Sequence, residues 1–293
     1  MITYVVGNLL QSPAQVLVNP INTAGMMSKG HFRRLYPAML EQYRQLCEQQ
    51  RLRIGDLWLY KTPHKWILNF PTRAHWRDVV KLDNIELGLE QFAAIYAEQG
   101  IVSASFPMIG AGLGGLDWQS VVRPLLEHYL EPLPIPVFIH LHEPDDRFTT
   151  QLDDDTLAVW LHGVPHIPAM SAVWADLLMI TRQEPMLTAL DDEQSFQINV
   201  DAEQNLILTG HDESPLELST DLFAAIWETI CAAGYVMPGD FPGSAAGSSL
   251  LVSLLAQLDY VRPVWLARVN KPRVIGLHLI PPVSSLLRMV EDD

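Results

Sequence analysis

The sequence predicts an α/β fold divided into two domains, and three observations support this prediction. In the first half, short apolar runs with β-branched residues alternate with amphipathic helical periodicities, which is the pattern of a layered sheet. Segments rich in glycine and asparagine follow several of the predicted strands. The chain has 293 residues, 48% of them hydrophobic, and exceeds the usual size of a single core. We therefore predict a first domain over 1–142, an acidic linker over 143–155 and a smaller α+β domain over 156–293.

Six strands and three helices are predicted in the first domain. We place the strands at 4–6, 16–18, 57–60, 66–69, 102–106 and 137–141. The first helix covers about 32–48 and carries its apolar residues on one face. The second helix follows Asp83, which has capping-box spacing to Glu86, and the third helix begins at Asp117.

The second domain carries weaker signals. Residues 196–208 predict a hairpin, and Ser219 can cap a helix. That helix, a second helix and two following strands outline a winged helix over 219–281. The second helix, at 248–258, contains no Lys or Arg, which argues against DNA binding by this part. Three cations on the predicted wing keep that alternative open: Arg268, Lys271 and Arg273.

The net charge of −15 is unevenly distributed along the chain. Residues 1–150 hold 13 Lys and Arg against 14 Asp and Glu, whereas residues 151–293 hold 6 against 20 and so carry −14. A field of that sign repels nucleic acid and attracts basic protein surfaces. We therefore expect nucleic acid to meet the first half and a basic protein to meet the second, with simple solubility as the alternative.

Composition and motifs exclude several other classes of protein. The two cysteines, Cys47 and Cys231, lie far apart, so the sequence offers no disulfide framework and no structural zinc site. No apolar run is long enough to span a membrane, and the start of the chain lacks the features of a signal peptide. Walker and Rossmann motifs are missing too. We expect a soluble, cytoplasmic protein without a cofactor, a metal or a membrane partner.

A glycine-rich loop joins a predicted strand to the helix that begins at Asp117. Its sequence is PMIGAGLGGLDW, residues 107–118. Glycine tolerates positive φ and has no Cβ, so such a loop can bring several backbone N–H groups close to a phosphate. A tight turn with a purely structural role is the alternative.

Two further polar clusters follow predicted strands. VNPINTAGMMSKG, residues 18–30, carries Asn19 and Asn22, whose carboxamides can bind ribose hydroxyls or serve as Asx-turn residues. NFPTRAHWRD, residues 69–78, interleaves guanidinium groups with an aromatic ring, which suits phosphate contact and base stacking. A buried tryptophan between two solvated arginines is the alternative for this second cluster. Loops that follow the strands of one α/β sheet converge on one crevice.

These motifs together resemble a known family. The order GNLLQS, VNPINTAG, NFPTRAHW and GAGLGGLDW, within residues 1–142, is similar to the macro domain of the DNA ADP-ribosyl glycohydrolases called DarG. The resemblance implies a macro domain, with a mixed sheet between helices, and ADP-ribose as the ligand. It also implies removal of ADP-ribose from thymidine in single-stranded DNA. A partner toxin of the DarT type installs that modification.

The resemblance also assigns roles to individual residues. It implies that Asn8 and Leu9 lie beside the adenosine, that Asn22 and the backbone near Gly25 lie at the distal ribose, and that the glycine loop holds the pyrophosphate. The complete expected ligand set is Asn8, Leu9, Asn19, Asn22, Thr23, Gly25, Thr72, Gly110, Ala111, Gly112, Leu113, Gly114 and Gly115. Arg73 and Asn22 are the expected catalytic residues. The expected nucleic-acid contacts are His75, Trp76 and Arg77.

The sequence departs from the family at two points. Arg73 occupies the position of a lysine that has a catalytic role in the family, and arginine stays protonated. Arg73 can stabilise negative charge on a departing thymine, or it can leave a module that binds ADP-ribose with little hydrolysis. The segment at Ser28, Lys29 and Gly30 is also shorter than in the family.

The acidic second half has a specific expectation under the same resemblance. In the family, the region beyond the macro domain engages the toxin. A domain of charge −14 can occupy a basic DNA-binding groove by presenting carboxylates in place of phosphates. The alternatives are a dimerisation or purely structural domain, and an interaction protein whose macro fold is vestigial.

Overall fold

The computed structural model describes residues 1–27, 30–143, 147–148, 152–210, 215–241 and 248–284. Two compact units are present. The described part of the first unit comprises Met1–Val164 and Arg268–Lys271, and the second unit comprises Pro165–Ala267 and Pro272–Ser284. The first unit therefore continues beyond the predicted domain boundary at residue 142.

Six strands of a mixed sheet form the centre of the first unit. These strands are β1 (Ile2–Val6), β2 (Val16–Asn22), β3 (Trp58–Tyr60), β4 (Trp66–Arg73), β5 (Ala104–Pro107) and β6 (Val137–Leu141). Within the unit the order is β1-β6-β5-β2-β4-β3. All neighbours are parallel except β3, which is antiparallel to β4. The carboxyl ends of the five parallel strands therefore lie along one edge of the sheet.

Five helices accompany this sheet: α1 (His31–Leu35), α2 (Pro37–Glu48), α3 (Leu82–Ile95), α4 (Arg123–Leu130) and α5 (Asp154–His162). The prediction of one helix over 32–48 is wrong, because the helix is interrupted at Tyr36 and continues as a second helix from Pro37. Tyr36 precedes Pro37 and has φ −133° and ψ 67°, since proline disfavours helical backbone in the residue before it. The capping role predicted for Asp83 is also wrong: Lys81 is the N-cap of α3, and Asp83 lies in its first turn.

The helix predicted at Asp117 is confirmed. The Asp117 carboxylate accepts a hydrogen bond from the Ser120 amide at 2.7 Å, which satisfies one of the free donors at the helix start. The first turn, Trp118–Val122, is a π-helical segment that leads into α4.

Apolar side chains from both helix and sheet fill the core of this unit. α3 buries Ile85, Leu89 and Phe92, and α2 buries Met39 and Tyr43. Gly88 lets α3 approach the sheet closely, because a Cβ there would lie 2.2 Å from the Phe70 ring.

Helix α5 belongs to the first unit and begins within the segment predicted as a linker. The Asp153 carboxylate caps it by accepting from the Thr156 amide at 2.8 Å. Leu157 and Leu161 are fully buried in a cluster that also contains Leu10, Leu17, Leu35, Tyr36, Met39 and Ile67. Three consecutive aspartates suit a helix start as well as a linker, since carboxylates stabilise the positive end of the helix dipole.

Beyond α5 the chain forms β7 (Val164–Pro165), α6 (Met170–Gln183), β8 (Met186–Thr188), β9 (Ser195–Val200), β10 (Leu206–Thr209) and β11 (Leu216–Leu218). Strands β8 to β11 make an antiparallel sheet of order β11-β10-β9-β8. The predicted hairpin is confirmed as the β9–β10 pair.

The remaining elements are α7 (Thr220–Ala233), β12 (Tyr235–Val236), α8 (Ser248–Leu255), β13 (Val261–Arg268), β14 (Val274–Leu279) and β15 (Val283–Ser284). Ser219 caps α7 as predicted, with its Oγ accepting from the Leu222 amide at 3.2 Å. Strand β14 pairs antiparallel with β13 and with β12. The predicted helices and strands are thus present, while their winged-helix arrangement stays a prediction.

Within the described ranges, every helix is too short or too polar to cross a lipid bilayer.

Candidate functional site

The loops that carry the predicted site residues all leave the same edge of the first sheet. The glycine loop follows β5, Asn22 ends β2, and Arg73 ends β4. Strand β2 lies between β5 and β4, so these three features follow one another along the edge. The turn that contains Asn8 and Leu9 follows β1 and leaves the same edge.

Asn22 and Arg73 are brought together by an irregularity in strand pairing. The register of β2 against β4 shifts after Ile21, so that Asn22 is paired with Arg73 while Thr72 is the extra residue of β4. The Thr23 amide donates to the Arg73 carbonyl at 3.1 Å and extends this pairing beyond the strand. The two expected catalytic residues are therefore neighbours at the edge of the sheet where the parallel strands end.

The Asn22 side chain organises the loop that follows it. Its Oδ1 accepts from the amides of Ala24 (3.1 Å) and Met26 (3.3 Å), and its Nδ2 donates to the Met26 carbonyl at 2.6 Å. Gly25 has φ +75°, which permits this tight path. The Asx-turn alternative left open by the sequence is thus present.

Tyr43, on α2, holds Asn22 in place through its hydroxyl group. Its hydroxyl donates to the Asn22 carbonyl at 2.6 Å and lies 3.2 Å from Asn22 Oδ1. Burial raises the pKa of Tyr43, so the hydroxyl stays a donor. Tyr43 was not predicted as a site residue, because it occupies an ordinary apolar-face position of α2.

Two residues of the expected ligand set lie inside the sheet. Asn19 is 6% exposed, and its Nδ2 donates to Oδ1 of the fully buried Asn69 at 2.9 Å. Thr72 is 3% exposed, and its hydroxyl donates to the Ile21 carbonyl at 3.2 Å. These side chains join β2 to β4, because buried polar groups must find partners. Asn19 and Thr72 therefore stabilise the strands that carry the site and do not lie on its surface.

The glycine loop is held in shape by its own backbone. The Leu116 amide donates to the Gly110 carbonyl at 3.1 Å, and the Gly115 amide donates to the Gly112 carbonyl at 3.0 Å. Gly110, Gly112 and Gly115 have φ of +76°, +63° and +82°, which side-chain-bearing residues rarely adopt. The path of the backbone therefore requires glycine at these three positions.

The glycine loop also contacts the segment that follows Arg73. A Cβ on Gly114 would lie 3.1 Å from Val80, and one on Gly110 would lie 3.4 Å from Val80 and 2.5 Å from Ile85. The backbone amides of Gly110 and Gly112 hydrogen-bond to no described residue. Two N–H donors of the glycine loop thus remain able to meet an anion.

The turn after β1 is built around Asn8. Its Oδ1 accepts from the Leu10 amide at 3.0 Å and caps a short 3-10 turn, Leu9–Gln11. His140, on β6, supports this turn from the core through Nδ1, which donates to the Gly7 carbonyl at 3.2 Å. Burial lowers the pKa of His140 to about 4, so its ring is neutral at neutral pH.

The segment after β4 forms a closed turn around Asp78. The Asp78 carboxylate accepts from the His75 amide at 2.8 Å, and the Asp78 carbonyl accepts from the Arg73 guanidinium at 3.2 Å. Trp76 stands at this turn with 38% of its surface exposed. The Arg77 guanidinium lies 4.6 Å from the centre of the Trp76 ring. The alternative of a buried tryptophan at this position is wrong.

Within the described ranges, no group of three or more His, Cys, Asp or Glu side chains is arranged to hold a metal ion. Ser28 and Lys29, where the sequence departs from the expected loop length, lie outside the described residues.

Comparison with known proteins points to the same part of the chain. Residues 18–125 match the family model described as the macro domain. A DNA ADP-ribosyl glycohydrolase of Mycobacterium tuberculosis (strain ATCC 25618 / H37Rv) is 38% identical over 136 residues, covering 44% of this chain and 39% of the relative. The DNA ADP-ribosyl glycohydrolase of Thermus aquaticus (strain ATCC BAA-2747 / Y51MC23) is 35% identical over 151 residues, covering 49% of this chain and 41% of the relative.

A third relative combines two activities in its name. It is the DNA ADP-ribosyl transferase-DNA ADP-ribosyl glycohydrolase fusion protein of Thermosipho africanus (strain H17ap60334), 33% identical over 162 residues. That match covers 48% of this chain and 42% of the relative. The chain thus spans about two fifths of the length of the curated relatives that it matches.

Proposed function

We propose that the first unit, whose residues 18–125 match the macro domain family model, binds ADP-ribose and removes it from thymidine in single-stranded DNA. The observation that carries this proposal is the convergence of the glycine loop, Asn22 and Arg73 on one edge of the sheet. The relatives named DNA ADP-ribosyl glycohydrolase support the choice of reaction. We place the proposed reaction in the cytoplasm, the compartment predicted from the sequence.

The ligand lies along this edge in the order that the loops follow. The pyrophosphate meets the glycine loop, where the amides of Gly110 and Gly112 hydrogen-bond to no described residue and can donate. The adenosine lies by the turn of Asn8 and Leu9, and the distal ribose lies by the loop that Asn22 shapes. Backbone donors suffice for the diphosphate, so the site requires no metal.

Hydrolysis breaks the bond between the anomeric carbon of the ribose and a ring nitrogen of thymine. The bond's electron pair leaves with thymine, a water oxygen bonds to the anomeric carbon, and the water's proton ends on the thymine nitrogen. The transition state resembles an oxocarbenium ion. The site must therefore hold the ribose, admit one water molecule and stabilise the departing base.

Arg73 stabilises the departing base. Its guanidinium stays protonated, so it cannot donate and recover a proton as a general acid would. It can place positive charge and N–H donors against negative charge that develops on thymine. Asn22 acts as a positioning residue in this scheme, because its carboxamide is engaged by Ala24 and Met26.

A module that binds ADP-ribose with little hydrolysis is the second candidate, and Arg73 is the observation that favours it. The Arg73 guanidinium is already engaged by the Asp78 carbonyl at 3.2 Å. Both candidates share the ligand and differ in turnover.

Release of ADP-ribose from a thymidine-ADP-ribosylated oligonucleotide tests the proposal, with Arg73→Lys as the informative variant. We expect Arg73→Lys to raise kcat by about tenfold or more, because a positioned acid or base typically contributes 10²–10⁴-fold. Arg51→Lys, at an exposed position of the first unit, is the matched control and should leave the rate unchanged. A rate for Arg73→Lys equal to or below that of the unaltered protein would show that arginine does not limit turnover.

Calorimetry with ADP-ribose separates the binding module from a third candidate, an interaction protein whose macro fold is vestigial. If ADP-ribose binds but neither the unaltered protein nor Arg73→Lys releases it from the oligonucleotide, the binding module is favoured. No heat on addition of ADP-ribose removes both candidates and leaves an interaction protein with a vestigial macro fold.

The acidic second half is proposed to bind an ADP-ribosyltransferase toxin of the DarT type. Residues 151–293 carry −14, and the toxin must have a basic surface to hold single-stranded DNA. The Thermosipho africanus relative, whose name joins a transferase to a glycohydrolase, supports this pairing of activities.

A further inference from the structure

Trp76 is more exposed than any other described tryptophan of the first unit. It has 38% of its surface exposed, whereas Trp58, Trp66, Trp118 and Trp160 are buried or half-buried. It lies three residues after Arg73, in the segment between β4 and α3. An indole at this place loses the stabilisation that burial would give it and exposes aromatic surface three residues after Arg73.

The turn that carries Trp76 is closed by hydrogen bonds on both sides. The Asp78 amide donates to the His75 carbonyl at 3.0 Å, and the His75 amide donates back to the Asp78 carboxylate at 2.8 Å. The Arg73 guanidinium closes the turn from the strand side through the Asp78 carbonyl. A ring presented on such a turn binds a partner at a smaller cost in conformational entropy than one on an open loop.

Arg77 and His75 both lie beside the Trp76 ring. The Arg77 guanidinium lies 4.6 Å from the ring centre, and the His75 ring centre lies 5.5 Å away at an interplanar angle of 38°. Residues 73–81 hold Arg73, Arg77 and Lys81 against the single carboxylate of Asp78. An aromatic ring interleaved with guanidinium groups is the chemistry that binds single-stranded nucleic acid, since bases stack on the ring and phosphates pair with the cations.

We propose that Trp76 stacks against a base next to the modified thymidine and that Arg77 pairs with the adjoining phosphate. This inference rests on the proposed function for the identity of the substrate and adds its selection: the turn distinguishes a DNA strand from free ADP-ribose. Trp76 and Arg77 are specificity-determining residues, because the pyrophosphate, the distal ribose and the departing thymine are assigned to the glycine loop, the Asn22 loop and Arg73.

Binding of a fluorescently labelled, unmodified single-stranded oligonucleotide of about ten nucleotides tests the inference, because such a length covers one stacking site. The full chain is titrated by fluorescence anisotropy, and its affinity for ADP-ribose is measured separately by calorimetry. We expect Trp76→Ala to weaken oligonucleotide binding by about tenfold or more, Trp76→Phe to retain most of it, and Arg77→Ala to reduce its salt dependence. The affinity of Trp76→Ala for ADP-ribose should change by less than about twofold.

Val102→Ala is the matched control. Val102 is 63% exposed, precedes β5 and lies at the opposite edge of the sheet. Oligonucleotide binding that is absent in the unaltered protein, or equal in Trp76→Ala and Val102→Ala, overturns the inference. Equal losses for oligonucleotide and ADP-ribose in Trp76→Ala also overturn it, because the ring would then only support the turn.

The proposed function and this inference fail separately. If no variant releases ADP-ribose while oligonucleotide binding still depends on Trp76, the proposed hydrolysis is wrong and the proposed strand binding stands. If ADP-ribose is released while oligonucleotide binding does not depend on Trp76, the proposed hydrolysis stands and the proposed strand binding is wrong.

Discussion

Asn22 shows how a single side chain can shape the loop that follows it in a candidate site. Its oxygen accepts from two amides of the loop that follows, its nitrogen donates to the Met26 carbonyl, and Tyr43 holds its backbone. Its contribution to the proposed reaction is therefore the position of the loop. This also explains why Gly25 follows it, with a backbone conformation that the loop requires.

His140 provides a prediction about pH. Burial lowers its pKa to about 4 from an ordinary 6.5. As the pH falls from about 6.5 towards 4, the unfolded chain takes up a proton that the folded chain does not. The free energy of unfolding should therefore decrease over this window, by up to about 3 kcal/mol, and should be unaffected by this group above pH 6.5.

Urea unfolding at pH 7 and pH 5 checks this, with His140→Gln as the comparison. The variant keeps a polar side chain near the Gly7 carbonyl but has no group that titrates in this window. We expect its stability to be lower at pH 7 and to decline less between the two pH values. Parallel declines in both proteins would mean that other groups govern the acid sensitivity.

The individual site residues were predictable from the sequence to different degrees. Asn22 and Arg73 each follow a strand, and the parallel pairing of those strands places them together. Tyr43 and Asp78 were missed as site residues, because their roles depend on hydrogen bonds to residues that the sequence pattern does not connect with them. A pattern shows which residues end a strand but not which distant side chain will support them.

At the scale of elements, a glycine of the glycine loop can be compared with a glycine outside it that has the same backbone conformation. Gly110 and Gly100 both have φ +76°. A Cβ on Gly110 would lie 2.5 Å from the buried Ile85, whereas a Cβ on Gly100 meets nothing within 4 Å. We expect Gly110→Ala to weaken ADP-ribose binding by about tenfold and Gly100→Ala to leave it unchanged, since only the first change displaces the loop.

Calorimetry with ADP-ribose measures both variants, and thermal unfolding reports their stability. Both should lose about 1 kcal/mol of stability to the positive φ, and Gly110→Ala should lose more through crowding. An unchanged ADP-ribose affinity in Gly110→Ala would separate the loop from the ligand.

The elements themselves were predicted well where the apolar pattern was uninterrupted, and poorly next to proline. Strand β2 was expected to end at Val18 and continues to Asn22, and β4 was expected to end at Asn69 and continues to Arg73. Each extension contains a proline, Pro20 or Pro71, and proline usually indicates the end of a strand. The tertiary pairing of β2 with β4 outweighs that local preference.

At the scale of the whole molecule, the uneven charge leads to a prediction about partners. Residues 151–293 carry −14, and a complex formed by these carboxylates with a basic toxin must weaken as salt screens them. We expect the dissociation constant for the cognate toxin to rise by about tenfold or more between roughly 50 and 500 mM salt.

Surface plasmon resonance with the full chain and the toxin measures this dependence. The rise should come mainly from slower association, because long-range attraction governs the rate of encounter. A dissociation constant that stays constant across the salt series would mean that apolar contacts hold the complex and that the acidic half does not imitate DNA.

The position of α5 has a consequence for how such proteins can diversify. Leu157 and Leu161 fill the first core together with Leu10, Leu17 and Tyr36. A gene rearrangement that joined a new sequence directly after β6 would strip away this helix and leave those side chains facing water. One that joined it after Val164 would leave them covered. If the second half recognises a toxin as proposed, we expect exchange of that half between related proteins to respect a junction beyond α5, because the core of the first unit then stays covered.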